Sequence, residues 1–155
     1  MKNHQTPVIS QAMETPQFGW LCAKDKEGYP VSTRGYLFDY ESGSETLKVI
    51  VSKTDSAQSV LPLLSKDDIL AAVVSNGMTF NSVQYKGKFI RKTELNEDDK
   101  KQMALNFNSI VAYMGNFGFS EELVEKFYTS EHCVFEMTVS EIFEQTPKQG
   151  TGNKL

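Results

Sequence analysis

Residues 27–40, EGYPVSTRGYLFDY, decide the fold. Gly28 marks a tight reversal. Pro30, with no N–H to give to a ladder, belongs at the start of a strand or on an edge. The residues that follow alternate with the period of two that defines a strand. Val31, Thr33 and Leu37 fall on one face, and Ser32, Arg34, Tyr36 and Phe38 on the other. The first face suits a core. The second carries a cation among hydroxyls and aromatic rings, and that cation needs a reason.

Working outward, 18–23 is a short apolar run that ends in Lys24-Asp25-Lys26-Glu27-Gly28, a charged reversal that joins it to 30–38 as a hairpin. A second turn, Glu41-Ser42-Gly43-Ser44-Glu45, leads to a β-branched strand at 47–51. Over 54–66 the period changes: Ala57, Val60, Leu61 and Leu64 recur at helical spacing, with Ser52, Thr54 or Asp55 as cap and Pro62 as an interruption. The run 69–75 is apolar on both faces, as in a central strand. Asn76-Gly77 signals a hairpin into an alternating strand at 79–91, with Val83, Tyr85 and Phe89 on one face and Ser82, Gln84, Lys86 and Lys88 on the other.

Asn96 and the acids Glu97, Asp98 and Asp99 open a helix whose apolar stripe is Met103, Phe107, Ile110, Val111 and Met114. Ser120 caps a shorter helix over 121–128, with Leu123, Val124 and Phe127 turned inward. A last strand alternates through Cys133, Phe135, Met137 and Val139. Consecutive hairpins with helices to one side make a β-rich α+β protein. With about six strands, the economical way to remove edges is a closed or partly closed antiparallel barrel. Residues 1–16 read as a flexible tail or docking arm, 17–145 as the barrel domain, and 146–155 as a C-terminal tail.

The 155 residues suffice for one domain with a real core. A net charge of −4 argues against nucleic acid or an anionic membrane as partner. There is no apolar run long enough to span a bilayer and no signal-peptide block, so the chain is read as cytoplasmic. Cys22 and Cys133 are read as buried thiols. His132 beside Cys133 lacks the further ligands that a metal site needs. No GxSxG, HExxH, P-loop or paired CxxC is present, and no catalytic acid or base is assigned.

Three polar stretches remain. Arg34 is one. Ser52-Lys53-Thr54-Asp55-Ser56, at a strand-to-helix junction, is either a phosphate cradle or an ordinary helix cap. Ser82, Gln84 and Lys86 line either a solvated face or a face that meets a partner.

The ordered set of a Gly-x-Pro strand with Arg34, a strand running into a Ser/Thr-rich junction, an apolar hairpin, Gln84-Tyr85-Lys86-Gly87 and the closing Phe143-Glu144-Gln145-Thr146-Pro147 resembles the pyridoxamine 5′-phosphate oxidase-like, FMN-binding split-barrel family. The resemblance covers roughly residues 17–92 and the C-terminal strand. It implies a six-stranded antiparallel Greek-key split barrel with peripheral helices, working as a homodimer with FMN in a groove outside each barrel. It further implies that Arg34 meets the phosphate, that Ser52 and Ser56 add hydroxyl contacts, and that Gln84 approaches the flavin. Where the family often carries Ser-Arg-Lys, this chain has Ser56-Ala57-Gln58, which leaves Lys53 as the substitute cation.

The expected activity is that of an FMN-dependent oxidoreductase acting on a small-molecule substrate, distinct from the true oxidase. The alternatives are a non-enzymatic binding module holding haem, another flavin-like ligand or nothing, and a structural dimer in which Arg34 and Gln84 make only interface hydrogen bonds.

Overall fold

The computed structural model describes residues 6–54, 61–128, 131–149 and 151–155. Six strands, β1 (Gln17–Lys24), β2 (Pro30–Glu41), β3 (Thr46–Ser52), β4 (Ile69–Asn76), β5 (Ser82–Thr93) and β6 (His132–Glu144), form a closed barrel in the order β1-β2-β3-β6-β5-β4. Every pairing is antiparallel. The neighbours β4-β1-β2-β3 have the spatial order of a Greek key. This is the expected class, a β-rich barrel with helices at its periphery.

The interior is filled by alternating residues: Leu21 on β1, Val49 and Val51 on β3, Leu70 and Val74 on β4, Val83 and Tyr85 on β5, Phe135 and Met137 on β6. The decisive strand departs from simple alternation. A bulge between Gly35 and Leu37 sends Tyr36 and Leu37 both outward, where they pack with Ile50 and Val134. Phe38 then turns inward, so the expected faces of Leu37 and Phe38 are exchanged. Gly19 and Gly35 make room for the Phe38 ring. A Cβ on Gly35 would lie 2.2 Å from Phe38 Cζ, and one on Gly19 only 2.1 Å from the Val73 carbonyl oxygen.

Both ends of the described chain are fastened to the barrel. Pro7–Ala12, in the stretch read as a flexible tail or docking arm, is a helix, α1, with Ile9 and Ala12 buried in the core. At the other end Leu155 packs on the core, and its N–H donates to the Ile142 carbonyl at 2.8 Å. In both cases one or two apolar residues in a polar stretch fasten the segment to the barrel. The helix expected over 54–66 appears, among the described residues, only as a 3-10 turn at Leu61–Leu63. Its first half lies outside them. The hairpin at Asn76-Gly77 is wider than a two-residue turn. Ser75 pairs with Ser82, and Asn76 Oδ1 accepts from the N–H groups of Met78 and Thr79.

Helix α2 (Glu97–Gly115) opens with a capping box, Asn96 and Asp99 each accepting from the other's backbone N–H. It covers the outer side of β2, where Met103 and Leu95 cap the Tyr36–Leu37 cluster. The expected stripe is only half-buried; its fully buried members are Ile110 and, unforeseen, Asn106. Asn106 Oδ1 accepts from Gln17 N–H at 2.8 Å, and its Nδ2 donates to the Tyr36 carbonyl at 2.8 Å. Gln17 in turn bridges the Phe38 backbone, donating from Nε2 to its carbonyl and accepting its N–H at Oε1. The bulge and the helix are thereby locked to one another. Helix α3 (Glu121–Glu125) is capped by Ser120 and anchored by Val124. Leu123 and Phe127, expected inside, stay exposed. Among the described residues no helix is long and apolar enough to cross a membrane.

Candidate functional site

Arg34 points outward from β2, paired with Trp20 of β1. The bulge places Tyr36 beside it. The segment after α3 adds Phe127 and Tyr128. The Arg34 guanidinium carbon lies 5.1 Å from the Phe127 ring centroid, 5.3 Å from Tyr36 and 5.9 Å from Tyr128. A guanidinium over such faces gains cation–π attraction, yet keeps its N–H groups for an acceptor. Among the described residues no carboxylate lies within ion-pair distance of Arg34. The Tyr128 phenol is pushed up to about 12 by burial, with the Arg34 charge pulling the other way.

Ser52 closes β3 one residue beyond the Gly35–Val51 pair, which brings it to the end of the barrel where Arg34 sits. It is buried, and its hydroxyl accepts the Thr54 N–H at 3.1 Å, as in a local Ser/Thr turn. Lys53 follows, but its charge is already engaged. Its Nζ lies 2.7 Å from Glu94 and 3.8 Å from Glu131. The hydrogen bond to Glu94 raises the Lys53 pKa and lowers that of Glu94. Ser56, with Ala57 and Gln58, lies outside the described residues.

Gln84 is on the outer face of β5. The cross-strand register links it to Arg34 through a single row: Arg34 opposite Trp20, Trp20 opposite Val73, Val73 opposite Gln84, and Gln84 opposite Phe143. Three strand spacings of ~4.8 Å separate the backbones of Arg34 and Gln84 by about 14 Å along the row. The structure thus brings Arg34, Ser52 and Lys53 to one end and sets Gln84 at the other end of the row. Trp20 stands between them, 52% exposed. The Gln84 side-chain oxygen accepts from Gln145 Nε2 at 3.4 Å.

Between this row and the helices is a cleft of about 370 Å³. Phe18, Gly19, Trp20 and Arg34 form its floor; Ile110 and Met114 of α2, with Phe119, Leu123, Val124 and Phe127, form its wall. None of these wall residues stood out as a site in the sequence, because apolar residues at helical spacing read as core. Ile110 and Val124 are indeed buried, but Phe119, Leu123 and Phe127 stay exposed, which is visible only once α2 is seen pinned through Asn106.

His132 pairs with Ser52 across β3 and β6, and its ring lies 4.6 Å from that of Tyr36. Burial lowers its pKa, and its Nε2 is buried with no hydrogen-bond partner among the described residues. Cys133 turns the other way, into the core, so the adjacent pair does not present its side chains to one ligand.

No family model matches the chain, and no curated protein is similar to it. Solved structures are. An F420 reductase is 9% identical, with 88% of this chain and 96% of that one covered at a TM-score of 0.56. A pyridoxamine 5′-phosphate oxidase-related, FMN-binding protein from Nostoc punctiforme is 8% identical, with 95% and 84% covered at 0.50. A haem-binding protein from Mycobacterium smegmatis is 11% identical, with 97% and 58% covered, also at 0.50. Likeness at these identities carries the architecture and not the ligand: the chain has the split-barrel fold of the pyridoxamine 5′-phosphate oxidase-like proteins.

Proposed function

We propose that this protein is a homodimeric flavoprotein of the oxidoreductase type, holding FMN non-covalently along the outer row from Arg34 to Gln84 and acting on a small-molecule substrate. The observation that carries the reading is the placement of Arg34, a cation without an anionic partner among the described residues, at one end of a row that ends in a side-chain amide. The residues fit the group at both ends. A planar guanidinium grips a phosphate with two parallel hydrogen bonds, and the Ser52 hydroxyl is close by for a third. The Gln84 amide offers a donor and an acceptor to a polar ring edge. The Trp20 indole between them gives a flat apolar surface, exposed in the single chain and available to a partner subunit.

FMN, when bound, supplies hydride and electron transfer, while the protein supplies position and electrostatics. Arg34, Ser52 and Gln84 are binding residues in this reading. Lys53 joins them only when it leaves Glu94. That engagement favours a second reading, a split barrel that binds a ligand without redox turnover, because among the described residues its phosphate end has one unengaged cation rather than several.

The test is direct. The purified protein is scanned in the visible range, denatured, and its supernatant assayed for FMN; light scattering reports its mass. FMN in the supernatant, or saturable uptake of added FMN by a dimer, supports the reading. Arg34→Ala should weaken FMN about tenfold to a hundredfold, the value of a charge-assisted contact of roughly 1.5–3 kcal/mol. A protein that neither carries nor takes up FMN refutes the flavin assignment.

A further inference from the structure

The cleft beneath α3 has a chemistry of its own. Its walls are apolar: Phe18 and Trp20 from the barrel, Ile110 and Met114 from α2, Leu123 and Phe127 from α3 and the segment after it. Among the described residues one ionisable group, Arg34, lines it, and no acid does. The guanidinium is half-buried, among rings whose faces attract it without neutralising its charge. A cation partly withdrawn from water and left without an anion is a costly arrangement that a bound anion relieves. A small hydrated anion would relieve the charge and leave the apolar walls wet. An uncharged apolar molecule would cover the walls and leave the guanidinium unpaired. A ligand that satisfies both has an apolar body and one anionic head. A carboxylate suits the head, since its two oxygens match the guanidinium fork. The volume, about 370 Å³, lies at the small end of sites that enclose organic ligands.

We infer that this cleft is a binding site for an apolar monocarboxylate, an acyl or aryl acid, with its carboxylate on Arg34 and its body against Trp20, Ile110, Met114, Leu123 and Phe127. The inference goes beyond the flavin reading, although both call on Arg34. A flavin phosphate and this carboxylate are alternatives at one guanidinium.

The test uses the chain's single tryptophan, Trp20, which forms part of the cleft. The purified protein, with any flavin counted by its absorbance, is titrated with decanoate and with 1-decanol while Trp20 emission is recorded. Decanoate should give a saturable change with at least tenfold tighter binding than the alcohol. Arg34→Gln should erase that preference while leaving decanol binding in place, and Arg34→Lys should retain part of it. A thermal melt of each variant shows that it is folded. Equal affinity for acid and alcohol, no saturable response to decanoate, or a preference that survives in Arg34→Gln overturns the proposal. Uptake of FMN is measured on the same preparations. FMN uptake without decanoate binding sinks this inference alone, and decanoate binding without FMN uptake upholds it and sinks the flavin reading alone.

Discussion

Asn106 is the residue on which the geometry of the cleft depends, and its removal has a size that can be worked out. The side chain is 0% exposed. It satisfies two backbone groups at good distance, the Gln17 N–H and the Tyr36 carbonyl, each at 2.8 Å, and a third contact at 3.4 Å to the Gln17 carbonyl is weak. In Asn106→Ala both strong partners stay buried and lose their bond. Each unsatisfied group costs about 1–3 kcal/mol, so the variant should lose ~2–6 kcal/mol. Against a total of about 5–15 kcal/mol that is a large share. For a chain of this length it corresponds to a Tm drop of roughly 4–24 °C. Urea unfolding followed by circular dichroism measures it, with the slope m expected to be unchanged.

Asn106→Asp gives an independent check with a sign. The carboxyl, buried between an N–H and a carbonyl oxygen, has a folded pKa above its unfolded value near 3.9. When protonated it can still accept from Gln17 and donate to Tyr36. Its penalty should therefore be small below about pH 4, and should grow as pH rises until the buried carboxyl itself ionises. A loss under about 0.5 kcal/mol in Asn106→Ala, or a pH-independent penalty in Asn106→Asp, would refute the clamp.

Three further outcomes are expected. Gly19→Ala drives a Cβ against the Val73 carbonyl and the Phe38 ring, and should cost about 1–3 kcal/mol in a thermal melt, whereas Gly43→Ala meets nothing within 4 Å and should be close to neutral. Glu94→Gln removes the nearer carboxylate from Lys53 and should tighten FMN binding, by up to about tenfold, in a titration at low salt; unchanged or weaker binding would show that Lys53 is not held away from phosphate by Glu94. His132 has a pKa depressed by burial, so the unfolded chain takes up a proton first as pH falls through about 6.5, and stability should decline there. His132→Phe, compared with the parent at pH 7.5 and pH 5, should lose that part of the slope; an identical slope would mean that another group carries it.

The strands were legible in the sequence because their signal is local. Alternation, the charged reversal at 24–28 and the β-branched run at 47–51 each lie within a few residues. The misreadings share a different cause, a non-local contact that overrides a local pattern. Ile9 and Ala12 sit in a polar segment that looks mobile until the barrel end is present to receive them. Asn106 looks like a flaw in an apolar stripe, and the groups it satisfies are 70 and 89 residues away. The faces of Leu37 and Phe38 were exchanged because a bulge adds one residue without a sequence mark; the glycines at 19 and 35 that accommodate the Phe38 ring lie on two different strands.

The same reasoning explains why Arg34 could be picked out early and its surroundings could not. Its face followed from period two, upstream of the bulge, so the register of 30–34 was safe. Its neighbours depend on the bulge, which turns Tyr36 outward beside it, and on the return of the chain after α3, which delivers Phe127 and Tyr128. Those rings also separate the two ligand chemistries open to the site. A phosphate on Arg34 alone lacks the several cations that a doubly charged group draws on, because Lys53 is shared between Glu94 and Glu131. A carboxylate needs one guanidinium and an apolar wall, and both are in place. Releasing Lys53 through Glu94→Gln should therefore favour phosphate over carboxylate at Arg34, while leaving decanoate affinity nearly unchanged. A variant that strengthened both alike would show that the Lys53 end and the cleft are not separable parts of the site.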